Sequence, residues 1–204
     1  LVDKDIYVRR HLIAFFLTMK ARDSLTIEAL HRVLLTDKDE EVRSLCASAF
    51  GMLGDSGQLT VSGLRQALGD AYVVVKEKVV AALVDLKIND NLTIIEFRRM
   101  LEDNDERVQI LGAQALEQSS VTDAETVVSL EQTLGDSDPN VRCAVSRALL
   151  TLIPNHTQAL SIMGELLSDD VESTSKLAAL ETLNYLAPTL ENHDILLLLL
   201  NILT

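Results

Sequence analysis

Apolar and small residues along this chain fall into one frame that recurs from end to end. Counted from Val42, they stand at steps of 3, 4, 7, 8 and 11 (Leu45, Cys46, Ala49, Phe50, Leu53), which is one face of an α-helix. Val141 opens the same frame with Ala144, Val145, Ala148, Leu149 and Leu152. Val75 is followed by Val79, Ala82, Leu83 and Leu86, and Val108 by Leu111, Gly112, Ala115 and Leu116. The small residue at step 7 (Ala49, Ala82, Ala115, Ala148) predicts that a neighbouring helix approaches closely there. A further helical segment precedes each of these, over residues 25–35, 61–68, 92–101, 124–134 and 157–167. No strand-like alternation competes with the pattern.

The turn inside each helix pair carries a motif, an Asp with Val-Arg or a relative five and six residues later. It reads Asp3 with Val8-Arg9, Asp37 with Val42-Arg43, Asp70 with Val75-Lys76, Asp103 with Val108-Gln109 and Asp136 with Val141-Arg142. A worn copy ends at Ser175-Lys176, and the Val-type positions are 34, 33, 33, 33 and 34 residues apart. A period of that size predicts a solenoid, here an all-α stack of about six two-helix repeats over residues 1–204. Asp5, Asp39, Asp105 and Asp138 occupy an N-cap position, Pro139 suits a first helical turn, and Glu40, Glu41 and Glu106 meet the positive helix end. Tyr72 stands where the other repeats cap with Asp.

The strings 37–54 (DKDEEVRSLCASAFGMLG) and 136–152 (DSDPNVRCAVSRALLTL) resemble HEAT repeats, in particular the short type of phycobilin lyase subunits, and the resemblance spans essentially the whole chain. It implies an armadillo-like, right-handed α-α superhelix, with first helices convex and second helices lining a concave side. It also implies a hydrogen-bonded ladder between neighbouring repeats, formed by Asp3/Arg9, Asp37/Arg43, Asp70/Lys76 and Asp136/Arg142. Gln109 interrupts that ladder, and an extra residue in the last repeat leaves Asp170 facing Lys176.

Charge changes the picture of partners. The chain carries a formal −13, and residues 103–204 hold −12 of it, with 4 basic and 16 acidic side chains. Such a field repels phosphate backbones and anionic lipid and favours a basic protein partner. With no Trp, three Tyr and four Phe, aromatic anchors are sparse.

Candidate chemistry is thin. Cys46 and Cys143 lie almost three repeats apart and neither belongs to a C-x-x-C pair, which argues for a reducing, cytoplasmic setting. His11, His31, His156 and His193 show no metal-ligating spacing and no His-Glu pair, so they read as isolated surface residues and the di-iron site of HEAT-like hydroxylases is absent. The DNA-glycosylase type expects a basic, aromatic cleft, which this acidic chain lacks. Cys143, at step 2 of its helix, is expected to face outward beside Arg142 and Arg147. No cofactor is expected.

The expected function is therefore that of a non-enzymatic interaction scaffold, engaging a protein partner through its concave face or its acidic C-terminal half. Steps 2, 6 and 10 of each second helix select a concave strip containing Arg10, Ser44, Ser48, Glu77, Asp85, Gln114, Gln118, Arg147 and Glu181, suited to an extended peptide or a helix. A lyase-like, tetrapyrrole-handling protein using the same groove is the alternative, and a spacer within a larger protein is a third. The apolar run from Ile195 to Leu200 is too short to span a bilayer and reads as the first helix of a further repeat, with self-association through it as a consequence of truncation. Both ends cut a repeat, so the chain reads as an excerpt of a longer protein.

Overall fold

The computed structural model describes residues 3–168 and 172–188. Among them are eleven α-helices: α1 (Ile6–Thr18), α2 (Ser24–Thr36), α3 (Glu40–Leu53), α4 (Gln58–Ala67), α5 (Val73–Asp85), α6 (Asn91–Met100), α7 (Glu106–Ser119), α8 (Ala124–Thr133), α9 (Pro139–Leu152), α10 (Thr157–Leu166) and α11 (Ser173–Leu186). Even-numbered helices from α2 to α10 are first helices of a repeat, and odd-numbered ones are second helices. The run from Ile195 to Leu200 and the pairing of Asp170 with Lys176 lie outside the described residues.

The starts and stops have local causes. Asp5, Asp39, Asp105 and Asp138 each accept a backbone N–H in the first turn of α1, α3, α7 and α9, and Pro139 opens α9. Tyr72 gives α5 no side-chain cap, and its ring lies 5.5 Å from the Arg43 guanidinium instead. The links that follow α1, α3, α5, α7 and α9 each pass through a left-handed residue: Lys20, Gly54, Lys87, Ser120 and Asn155, with φ of 50°, 66°, 56°, 57° and 66°.

The chain divides into two compact lobes, Leu1–Glu96 and Phe97–Thr204. In the first, α3 packs on α1, α2 and α5, with α2 on α4 and α4 on α5. Leu30, Leu34, Phe50, Leu64 and Leu83 are fully enclosed there. In the second, α9 is the hub, covered by α7, α8, α10 and α11, and Leu116, Leu130, Leu134 and Leu149 fill the centre. Each such side chain contributes roughly 1.5–3 kcal/mol on burial. The step 7 alanines are all buried, and at α3–α5 a Cβ on Gly51 would stand 3.2 Å from Ala82 Cα.

The motif Asp does two jobs. Asp3, Asp37, Asp70, Asp103 and Asp136 each accept the N–H two residues on, at 2.8–3.0 Å, closing the turn between the helices of a pair. At Asp37, Asp70 and Asp136 the carboxylate also receives the donor of the preceding repeat. Arg9 donates to Asp37 through Nε (2.7 Å) and Nη2 (2.9 Å), and Arg43 to Asp70 at 2.6 and 2.9 Å. Such two-pronged pairs are the strong form of ion pair. The link to the Asp six residues earlier is to its carbonyl: Arg9 Nη1 to Asp3 at 3.0 Å, Arg43 Nη1 to Asp37 and Arg142 Nη1 to Asp136, both at 2.8 Å. Gln109 does not interrupt the ladder, because its Nε2 donates to Asp136 Oδ2 at 3.1 Å and to the Leu101 carbonyl at 3.3 Å.

Burial works against the Asp70 carboxylate, yet hydrogen bonds from Arg43 and the Tyr72 N–H, with the nearby charges of Arg43 and Lys76, hold its pKa below the usual value. A carboxylate lowered by folding stabilises the fold above its unfolded pKa and loses that contribution as pH falls through the folded one. Urea midpoints of the first lobe are therefore expected to drop as pH falls below the ordinary Asp range, and Asp70→Asn to flatten that drop. Equal slopes for both proteins would show that Asp70 does not carry it.

Candidate functional site

Three consecutive second helices of the second lobe, α7, α9 and α11, enclose a groove of about 590 Å³. Ile110, Gln114, Glu117 and Gln118 come from α7, Asn140, Cys143, Ala144 and Arg147 from α9, and Ala178, Glu181, Thr182 and Tyr185 from α11. The helical repeat explains the grouping, since residues two turns apart on parallel-stacked helices return to one side. Gln114, Gln118, Arg147 and Glu181 from the expected strip thus meet in one place. Arg10, Ser44, Ser48, Glu77 and Asp85 belong to α1, α3 and α5 of the first lobe. There Arg10 pairs with Glu41 and lies 3.7 Å from Asp39, and Ser44 Oγ donates to the Glu41 carbonyl at 3.0 Å.

Part of the groove wall is internally satisfied. Arg147 Nε donates to Glu117 Oε2 at 2.9 Å and Thr151 Oγ1 to Glu117 Oε1 at 3.2 Å, so α7 and α9 are tied across their solvent edge. Ser175 Oγ donates to Asn140 Oδ1 at 3.1 Å, linking α9 to α11. Glu117 was missed by the strip at steps 2, 6 and 10. It stands at step 9, two turns beyond step 2 and hence on the same stripe, and that arithmetic is the signal that finds it.

Cys143 corrects the sequence expectation. It is 5% exposed rather than outward, because α11 packs over step 2 of α9, and its Sγ lies 3.9 Å from Thr182 Oγ1. Burial pushes its thiol up, with the Thr182 hydrogen bond and the Arg147 charge pulling weakly the other way. Cys46 is buried in α3 and its thiol is likewise raised by burial.

A second row of polar contacts, not foreseen, joins the first helices. Thr26, Thr60, Thr93 and Thr126 are buried at intervals of 34, 33 and 33 residues, each near a carboxylate that precedes its helix or caps it: Asp23, Asp55, Asp90 and Asp123. That spacing was readable. Arg65 Nε donates to Thr93 Oγ1 at 2.8 Å and Arg65 also pairs with Asp90, while Arg98 reaches Asp123 at 3.2 Å and Glu125 at 2.8 Å. In the last rung His156 caps α10, its Nδ1 accepting the Ala159 N–H at 3.3 Å and its Nε2 meeting Glu131 at 3.0 Å. His156 is therefore a structural link and not an isolated surface residue. His11 contacts the Tyr7 carbonyl at 2.7 Å, His31 packs against Gly63, and His193 lies outside the described residues.

Among the described residues no group of three or more His, Cys, Asp or Glu is placed to hold a metal ion, and no helix is long and apolar enough to cross a membrane.

Comparison with known proteins agrees with this architecture. Residues 96–184 match the family model described as HEAT repeats. No curated protein matches the sequence. A chain from the complex of CpcE and CpcF of phycocyanin lyase from Nostoc sp. PCC7120 is similar in structure, with a TM-score of 0.58 and 19% identity over 99% of this chain and 90% of that one. A chain from a study of microtubule plus-end tracking by XMAP215, CLIP-170 and EB1 has a TM-score of 0.58 and 17% identity over 91% of this chain and 87% of that one. An engineered protein is similar at 0.52 and 18% identity, over 90% of this chain and 92% of that one. At such identities the likeness is one of fold. By sequence, residues 96–184 thus match HEAT repeats, and by fold the chain is an all-α solenoid of helix pairs.

Proposed function

We propose that this HEAT-repeat array is a non-enzymatic scaffold that holds an extended segment of a protein partner in the α7–α9–α11 groove. One observation carries the reading: second helices of successive repeats line a single groove with a mixed polar and apolar wall, of a size suited to a few residues of a chain. The buried, raised thiols of Cys46 and Cys143 offer no activated nucleophile, which favours binding over covalent chemistry. The experiment is selection of a random 12-residue peptide library displayed on phage. Wild-type protein is expected to enrich sequences that Gln114→Lys protein, matched in helical content and melting temperature, does not retain. Enrichment that survives the substitution unchanged would overturn the groove as the binding surface.

A second reading, a tetrapyrrole-handling protein, is favoured by the similarity to the chain from the phycocyanin lyase complex. Titration with bilins separates it from the first, since it requires an absorbance shift on binding.

A further inference from the structure

This inference rests on the groove reading and names the chemistry of its occupant. Among the described residues, the groove's polar groups divide into those already partnered and those that are not. Glu117, Arg147 and Thr151 satisfy one another, Asn140 is held by Ser175, and Cys143 by Thr182. The groove side chains that meet no described partner are the amides of Gln114 and Gln118, the Glu181 carboxylate and the Tyr185 ring, which is 69% exposed.

We infer that the groove takes an extended peptide segment bearing an Arg or Lys side chain, with the cation seated between Glu181 and Tyr185 and the peptide backbone bonded by Gln114 and Gln118. Arg147 neutralises Glu117 at 2.9 Å, so Glu181 is the uncompensated charge of the groove. Glu181 and Tyr185 are one turn apart on α11 and so share a face, where a carboxylate and an aromatic ring together favour a cation. Each glutamine amide both donates and accepts, which matches the alternating N–H and C=O of an extended chain. The same fit disfavours acidic segments, and the −12 carried by residues 103–204 draws basic ones in from a distance.

The test uses the peptides enriched in the phage selection, resynthesised with a fluorophore. The expected result is enrichment of Arg or Lys at one position, and replacement of that residue by Gln weakens binding about tenfold on wild-type protein. On Glu181→Gln protein the same replacement is expected to change binding less than about twofold, since the two groups act on each other. Peptides that Gln114→Lys protein loses but that show no basic preference, or an Arg→Gln effect of equal size on both proteins, would leave the groove reading standing and overturn this one. Absence of any enriched peptide would overturn both.

Discussion

Leu83→Asp is expected to unfold more than the helix that carries it. Leu83 is fully buried on α5, which packs on α3 and α4, so a carboxylate there has neither water nor a cation to meet it. The loss is on the order of 4 kcal/mol or more, a large share of the 5–15 kcal/mol that holds a typical domain together. Because each repeat of a solenoid is stabilised by its neighbours, the damage spreads along the stack. Circular dichroism should report lost helix, and hydrogen exchange should show protection vanishing across α3, α4 and α5 together. A variant that kept its melting temperature, or lost protection in α5 alone, would contradict nearest-neighbour stacking as the source of stability.

Substitution at Gly112 has the next largest expected effect. This residue lies buried in α7 at step 4 of the frame, where Cys46, Val79 and Val145 stand in other repeats. A Cβ there would sit 2.8 Å from Met100 Cβ, 3.0 Å from the Phe97 carbonyl oxygen and 3.3 Å from the Leu101 amide nitrogen. Alanine improves helix propensity by about 1 kcal/mol. Overpacking costs about 1–3 kcal/mol, and here two of the three obstacles are backbone atoms that cannot rotate aside, so the clash wins. Gly112→Ala is expected to lower the urea midpoint of the second lobe, and Gly112→Val to lower it further. Gly135→Ala serves as the control, because nothing lies within 4 Å of a Cβ built there. Equal midpoints for Gly112→Ala and Gly135→Ala would show that α6 yields at no cost.

The helix pairs were legible because 3.6-residue periodicity and capping residues are written locally. The segment expected at 124–134 is α8 (Ala124–Thr133), and that expected at 157–167 is α10 (Thr157–Leu166). The ladder was legible in composition but not in pairing. In a chain of constant period an Asp is six residues before one Arg and one period less six after another, as Asp37 is to Arg43 and Arg9, and spacing alone does not choose between them. The three-dimensional answer, Arg9 with Asp37, depends on how neighbouring turns stack. Cys143 was misplaced for a related reason. One-face periodicity describes a helix packed on one side, whereas α9 is covered on several, which also buries Ser146 at step 5 of that helix. The left-handed turns left no signature because Lys20, Gly54, Lys87, Ser120 and Asn155 share a backbone conformation and no side-chain chemistry. Of the groove, the strip rule found Gln114, Gln118, Arg147 and Glu181 but not Glu117, whose role depends on a contact from the next repeat.

The rungs Arg9–Asp37, Arg43–Asp70 and Gln109–Asp136 all point the same way along the chain, donor first and acceptor second. Each of these three joints therefore has a sex. A repeat transplanted into this array would join cleanly only if it brought a carboxylate to its leading turn and an N–H donor six residues later. Two copies meeting donor end to donor end would find no mate, so growth by duplication of whole repeats preserves the seam, while inversion or shuffling out of phase breaks it.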